Sequence, residues 1–440
     1  MQGRTRLAAL AAAFVALALA LPASASARDA HLDPAFGDGG WVTTTIPGEG
    51  SLAYAGIVLR NGKTAVAGQA FDDNGNSQIV VARYRRDGTP DPGFGEDGVF
   101  TSSFPEADGP FLATSIAQPR NSRKLVIGGG YGQGSMLALR LTHGGRLDGS
   151  FGSDGPGKTV VPAGGIGQSL MVNPFDGSIL LGGSNANANG RPMVVARLQP
   201  DGTPDTGYGT GGQAQILFWN PTLAASAGVS AMYPTPAGGM VGFGHLDYIG
   251  SDGHGSAGIF KLTPTGQLVQ RYGTAGHTEV DFELKTGVPA FWFPCAMGVD
   301  GTGRVTVTGD GTGNTGSALL TTRLTPGGVP DPTFGRAGTG TVMTEGLPDG
   351  DFTTCGATGT ANDGLIAGVG STLVHLTARG ARRSAFGPGG MVEIAQPQNV
   401  AVNAVARVES HRGPDSRRIV VAGSAGNDIY VARYLVPPPR

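Results

Sequence analysis

An aromatic residue followed at once by Gly, with a second Gly four positions after the aromatic, occurs seven times in this chain. The aromatics are Phe36, Phe94, Phe151, Tyr208, Tyr272, Phe334 and Phe386, at successive spacings of 58, 57, 57, 64, 62 and 52 residues. The Gly pairs are Gly37/Gly40, Gly95/Gly98, Gly152/Gly155, Gly209/Gly212, Gly273/Gly276, Gly335/Gly338 and Gly387/Gly390. A period of this size over nearly the whole length specifies an array, a solenoid or a propeller rather than unrelated domains. With 77 Gly and 30 Pro in 440 residues, an unpatterned chain would read as low-complexity; here the Gly recur at fixed places and read as turn residues.

Within one unit the turn cluster Leu32-Asp33-Pro34-Ala35-Phe36-Gly37 is followed by four runs of β-branched, aromatic or small apolar residues. These are Trp41–Ile46, Leu52–Leu59, Thr64–Gly68 and Gln78–Tyr84, separated by Gly, Asn, Asp and Pro. Asn61-Gly62 between the second and third runs specifies a tight hairpin. Each unit therefore reads as a four-stranded antiparallel meander, and no helix-period stripe of useful length interrupts the pattern. Seven small sheets repeated radially make an all-β, seven-bladed propeller over residues 28–436, with 437–440 a short Pro-rich tail.

The fourth runs carry a basic residue eleven positions before the next aromatic, and an Asp stands three positions before that aromatic. The pairs are Arg83/Asp91, Arg140/Asp148, Arg197/Asp205 and Arg323/Asp331. Where the basic residue becomes Lys261 or His375, the Asp position becomes Val269 or Arg383, so the partners are lost together. Such co-occurrence predicts an Arg–carboxylate bridge across the turn. Joining the chain ends recreates one more pair, Arg433 with Asp33, which a closed ring requires and a solenoid does not. Closure also removes sheet edges that would otherwise invite aggregation.

The phrases Asp33-Pro34-Ala35-Phe36-Gly37, Asp91-Pro92-Gly93-Phe94-Gly95 and Asp331-Pro332-Thr333-Phe334-Gly335 resemble the delta-60 repeat of secreted bacterial propeller-type proteins. The resemblance covers about residues 31 to 436 and implies a β-propeller outside the cytoplasm. It implies no biochemical activity that transfers residue by residue. Units four and six depart from the Asp-Pro part of the phrase.

The N-terminus points to the same compartment. Arg4 and Arg6 precede an uncharged apolar run from Leu7 to Leu21, and Ala23-Ser24-Ala25-Ser26-Ala27 follows. That is the layout of a signal peptide over residues 1–27, and its apolar run is too short to span a bilayer. The expected product is secreted or held at the cell surface, monomeric, with a formal charge near −4 once two Arg are subtracted from the −2 of the whole chain. That balance shows no basic stripe of the kind a nucleic-acid binder needs. Cys295 and Cys355 occupy similar places in neighbouring units; a disulfide between adjacent units and two buried thiols both remain open. By the chain-entropy model such a bridge stabilises by about 4 kcal/mol.

Function is less visible. Gly-x-Ser-x-Gly, His-Glu-x-x-His, Cys-x-x-Cys and phosphate-cradling motifs are missing from the sequence, and no cofactor or metal is expected. The longest loop of its type, Phe243 to Ser256, holds His245, Asp247, Asp252 and His254 at a spacing that matches no recognised ligand set. Asp72-Asp73-Asn74-Gly75-Asn76 has the look of a calcium loop but lacks the bidentate Glu, and reads as a hairpin turn. Two aromatic groups, Phe218-Trp219 and Phe291-Trp292-Phe293, fall at corresponding places of units four and five. Such rings stack on a sugar or clasp a peptide, or else pack between blades. Asp281, Glu283 and Lys285 stand nearby as polar contacts. These features favour a binding or scaffolding module for an extracellular protein or glycan; the rival is a propeller enzyme, a polysaccharide lyase or hydrolase, with its site in the central channel.

Overall fold

The computed structural model describes residues 29–437, apart from 105–108, 133, 164, 166, 186, 189–190, 219–223, 249–254, 282–291, 314–315, 336–337, 348–354, 360–363, 395–396, 398–399 and 408–416. Two N-terminal strands come first, β1 (His31–Leu32) and β2 (Trp41–Thr44). Blade 1 is β3 (Gly50–Val58), β4 (Thr64–Phe71), β5 (Ser77–Tyr84) and β6 (Val99–Ser102). Blade 2 is β7 (Phe111–Ala117), β8 (Leu125–Tyr131), β9 (Ser135–Leu141) and β10 (Lys158–Pro162), and blade 3 is β11 (Gly167–Val172), β12 (Ile179–Ser184), β13 (Met193–Leu198) and β14 (Gln213–Ile216). Blade 4 is β15 (Ala224–Pro234), β16 (Met240–Tyr248), β17 (Gly255–Leu262) and β18 (His277–Val280), and blade 5 is β19 (Trp292–Val299), β20 (Val305–Gly313), β21 (Gly316–Leu324) and β22 (Thr341–Glu345). Blade 6 is β23 (Cys355–Gly359), β24 (Leu365–Val369), β25 (Thr372–Leu376) and β26 (Met391–Glu393). Blade 7 takes β27 (Val400–Arg407), β28 (Arg418–Ala425) and β29 (Asp428–Leu435) from the C-terminus and borrows β2 as its outer strand, with β1 also on β29.

The protein is a seven-bladed β-propeller of antiparallel four-stranded sheets. Strands β3, β7, β11, β15, β19, β23 and β27 each touch the next, and β27 touches β3, so they form the inner ring. The ring is closed by the termini: Trp41 pairs with Ala432 and Thr44 with Ile429, and Leu32 pairs with Tyr434. The sequence repeat and the blade are therefore out of phase by one strand. The run after each aromatic anchor, such as Trp41–Thr44, completes the preceding blade instead of opening its own. Sheets stack through apolar seams between successive blades; Phe94, for instance, joins one cluster with Val81 of blade 1 and Leu125, Leu139 and Leu141 of blade 2.

Six inner strands carry a register shift, which places Tyr54, Thr114, Gln168, Ser230, Cys295 and Asn403 as extra residues opposite the second strand. The recurring Gly of the second strand answers to this bulge. A Cβ on Gly68 or Gly129 would lie 1.8 Å from the Leu52 carbonyl oxygen or 1.6 Å from that of Leu112. Only a residue without a side chain lets the bulged backbone approach so closely. Across the ring the inner strands are tied by side chains: Ser169 donates to the Val229 carbonyl at 2.7 Å and Asn403 donates to the Ala53 carbonyl at 2.7 Å.

Candidate ligand-binding seam

In a meander the first-to-second and third-to-fourth connections emerge on one face, and the second-to-third hairpins share the other face with the blade-to-blade crossovers. All seven aromatic anchors lie between third and fourth strands, so they occupy a single anchor face. Their geometry is a clamp repeated around the ring. Arg83 Nε lies 2.6 Å from Asp91 Oδ2, Arg140 Nε 2.6 Å from Asp148, Arg323 Nε 2.8 Å from Asp331 and Arg433 Nε 2.8 Å from Asp33. Arg197 reaches Asp205 less closely, at 3.3 Å through Nη1. The same guanidiniums stack on the anchors, with Arg83 4.4 Å from the Phe94 ring centre and Arg433 4.9 Å from that of Phe36. Each also crosses to the next blade: Arg83 Nη1 donates to the His143 carbonyl at 2.7 Å and Arg140 Nη1 to that of Pro200 at 2.7 Å. Arg433 closes the circle by donating to the Arg86 carbonyl. These residues hold the ring together and leave no clear room for a ligand in the turn.

Two details escape sequence reasoning. A second cation sits on four of the carboxylates: Lys63 on Asp91, Lys124 on Asp148 and Arg418 on Asp33 at 2.6 to 2.7 Å, and Arg304 on Asp331 at 4.0 Å. Burial opposes ionisation of Asp91, but the Lys63 hydrogen bond and the Arg83 charge outweigh it and hold the carboxyl below its ordinary range. Hairpins of differing length hide this second partner from any fixed spacing. The second Gly is also displaced in two copies. The backbone N–H that returns to the anchor carbonyl belongs to Gly157 after Phe151 and to Gly340 after Phe334, two positions beyond the repeat's Gly155 and Gly338. Where the Arg is replaced, Lys261 still lies over the Tyr272 ring, whereas His375 is buried edge-on to Phe386 at 5.2 Å between ring centres. Burial first, and then the Arg383 charge, push the His375 imidazole down to about 4.

The best-formed candidate site lies in the seam between blades 3 and 4. After β14 the chain leaves blade 3 through exposed Leu217, and the half-buried Phe218 ring folds against blade 4. It meets His277 edge-on at 4.8 Å between ring centres and covers Gly258, where a Cβ would fall 2.6 Å from the Phe218 ring. Gly258 pairs with Glu279 across β17 and β18, which sets Glu279 on the same sheet face as Phe218 and His277. There the buried Ser256 hydroxyl donates to Glu279 Oε1 at 2.6 Å. Partial burial, and then the Asp281 charge two residues on, hold the Glu279 carboxyl above its ordinary range. Burial lowers the His277 imidazole despite a bond with the Ala275 backbone, and its Nδ1 has no hydrogen-bond partner among the described residues. An aromatic ring, a hydroxyl and two carboxyls thus converge where sequence spacing marked only Phe218 and Asp281. Period-two placement along β18 was the available signal for His277 and Glu279.

The other marked residues are more scattered. Trp219, Phe291, Glu283 and Lys285 lie outside the described residues, as do the side chains of Trp292, Phe293, Cys295 and Cys355. The backbones of both Cys belong to inner strands of adjacent blades, β19 and β23, which touch. His245 and Asp247 fall within β16 rather than in a loop, while Asp252 and His254 lie outside the described residues. Asp72 caps its own hairpin, accepting from Asn74 N and Asn76 N at 2.9 Å each. Beside that turn a groove of about 600 Å³ runs along Phe71, Ser103, Phe104 and Phe111 of blades 1 and 2.

Three stretches of the chain, 59–94, 176–208 and 301–334, match a family model described as a domain of unknown function (DUF5122) beta-propeller. This chain is built of propeller repeats. Each matched stretch ends on an anchor aromatic, Phe94, Tyr208 or Phe334, after crossing the second and third strands of a blade. No curated protein matches the sequence. Solved structures with some likeness include an alpha-L-arabinanase of Penicillium chrysogenum complexed with arabinobiose, at 13% identity over 73% of this chain and 92% of that one, TM-score 0.42. Sqt1 of Chaetomium thermophilum aligns at 13% identity over 87% and 82%, TM-score 0.47, and the polysaccharide lyase Uly1 at 10% over 90% and 99%, TM-score 0.47. At these values the likenesses carry nothing about ligand or activity.

Proposed function

We propose that the protein is an exported, monomeric binding module, of the delta-60 repeat type, that holds a glycan in the seam between blades 3 and 4. The observation that supports this is the Phe218 ring packed beside the Ser256–Glu279 hydrogen bond. A flat ring covers the C–H face of a sugar, and adjacent carboxyl and hydroxyl groups take its hydroxyls. Trp219, next in sequence to Phe218, and the Phe291-Trp292-Phe293 group one unit on belong to the same proposal. Export rests on the basic, apolar and small-residue segments of residues 1–27.

A catalytic reading draws on the same carboxyls. Glycoside hydrolysis uses two neighbouring carboxyl groups, and Glu279, its carboxyl held above the ordinary range, stands on β18 two residues from Asp281 at the strand's end. Binding is preferred because Glu279 is already held by Ser256, which fits it to accept and orient hydroxyls. The test is a glycan panel probed with the mature chain from Arg28, its Phe218→Ala variant and its Glu279→Gln variant. Affinity at least tenfold weaker in both variants is expected; unchanged affinity in both sinks the proposal.

A further inference from the structure

The chain is close to neutral as a whole, with 31 Lys and Arg against 33 Asp and Glu, but its cations are unevenly placed. Hairpins 59–63 and 117–124 and turns 84–91 and 141–148 all emerge on the anchor face of blades 1 and 2. Together they hold eight Lys or Arg and three Asp. Two of those carboxylates, Asp91 and Asp148, are buried and already engaged by the clamp. What faces solvent on these hairpins and turns is a set of six arginines, Arg60, Arg85, Arg86, Arg120, Arg123 and Arg146, with Asp87 among them and Glu96, Asp97 and Asp154 farther along the same two connections.

Hydrogen bonds join these loops into one surface. Arg86 Nε donates to the Asn61 carbonyl at 2.6 Å. Arg60 Nη1 donates to the Pro119 carbonyl at 2.7 Å, and its backbone N–H donates to Gln118 Oε1 at 3.0 Å, which stitches the blade 1 hairpin to that of blade 2. Each pinned guanidinium retains other N–H donors that can engage a bidentate anion. His143, exposed at the centre, senses the field: burial and then the charges of Arg83, Arg123 and Lys63 hold its imidazole below the ordinary range. Toward blade 3 the sign reverses, with Asp176, Asp201 and Asp205 on the corresponding loops.

We propose that the arginine-rich anchor face of blades 1 and 2 binds a linear anionic polysaccharide, pairing its carboxylate or sulfate groups with the exposed guanidiniums. Charge complementarity selects a polyanion. Among the described residues the exposed large apolar side chains, Phe175, Leu217 and Val329, lie on blades 3 and 5, so the described loops of blades 1 and 2 on this face offer none of that kind to enter a bilayer. This surface is separate from the blade 3–4 seam, and the two bind independently.

The probe is polygalacturonate titrated into the mature chain at low ionic strength, with neutral dextran and anionic phospholipid vesicles alongside. Polygalacturonate binds, dextran does not, and affinity falls roughly tenfold when salt is raised past the point where the Debye length is about 8 Å. The triple variant Arg60→Gln/Arg120→Gln/Arg123→Gln binds at least tenfold more weakly. The same loss of charge at Arg271, Arg379 and Arg382, on blades 4 and 6, leaves binding unchanged. The NMR titration of His143 moves to higher pH on adding polygalacturonate, and this movement is absent in the blade 1–2 variant. Equal weakening in the two triple variants, failure to bind polygalacturonate in low salt, or binding to vesicles alone overturns the proposal.

Discussion

Removing Arg83 should cost far more than removing Arg197, although the two occupy the same position in blades 1 and 3. The Arg83 side chain is 2% exposed and its partner Asp91 5%, whereas Arg197 and Asp205 are 18% and 19% exposed. Arg83 donates to Asp91 at 2.6 Å, to the His143 carbonyl at 2.7 Å and to the Gly93 carbonyl at 3.2 Å. Arg83→Met leaves a buried carboxylate and two carbonyls without that donor, a loss of about 3–5 kcal/mol for a broken buried pair. Lys63 stays on Asp91 at 2.6 Å, which brings the expectation to the lower end, about 3 kcal/mol. At Arg197 the pairs with Asp205 at 3.3 Å and with the largely exposed Asp176 at 2.6 Å are both solvent-screened and worth about 1 kcal/mol. Equilibrium urea unfolding followed by Trp fluorescence measures both, and the double variant Arg83→Met/Asp91→Asn should be less destabilised than the sum of its single changes. Equal costs at the two positions, or strict additivity of the double variant, would refute the buried Arg83–Asp91 pair as the anchor of the clamp.

Three further outcomes follow from the same geometry. His375 is neutral in the fold at about 4 against about 6.5 unfolded, so the unfolded chain binds the extra proton between those values. Stability is complete above about pH 6.5 and falls by up to about 3 kcal/mol as pH drops toward 4; in His375→Phe, unfolding curves taken across this window should lose that dependence. Gly129→Ala would set a Cβ 1.6 Å from the Leu112 carbonyl oxygen, so it should destabilise by about 2 kcal/mol or more and flatten the bulge at Thr114, read by hydrogen exchange in β7. Asp33→Asn weakens both Arg433 and Arg418 at the closing junction, so exchange should accelerate first in β1, β2 and β29.

Much of the architecture was legible because the ring forces seven turns to solve one steric problem. Phe36 and its six counterparts, with the Arg and Asp at fixed distances, report the third strand, the clamp and the closure from Arg433 to Asp33. Phase was not legible, because a circular pattern looks the same wherever a unit begins. Trp41–Thr44 could be assigned to blade 7 only through its pairing with Ala432 and Ile429. Lys63, Lys124 and Arg418 reach the buried carboxylates from hairpins of unequal length, so no constant spacing announces them. The candidate seam was half visible: Phe218 stands out as an aromatic at a crossover, but Ser256 and Glu279 are ordinary strand residues until pairing in blade 4 brings them together. The arginine face was hidden by a near-neutral total charge.

On the proposed function, this ring binds a glycan without altering it. Isothermal titration of the mature chain with glycans selected from a panel, followed by chromatographic analysis of the recovered polymer, tests it most directly. Saturable binding with polymer of unchanged length, weakened at least tenfold by Phe218→Ala, is the predicted result. Shortened chains or newly formed reducing or unsaturated ends would contradict it and turn Glu279 and Asp281 into candidates for catalysis.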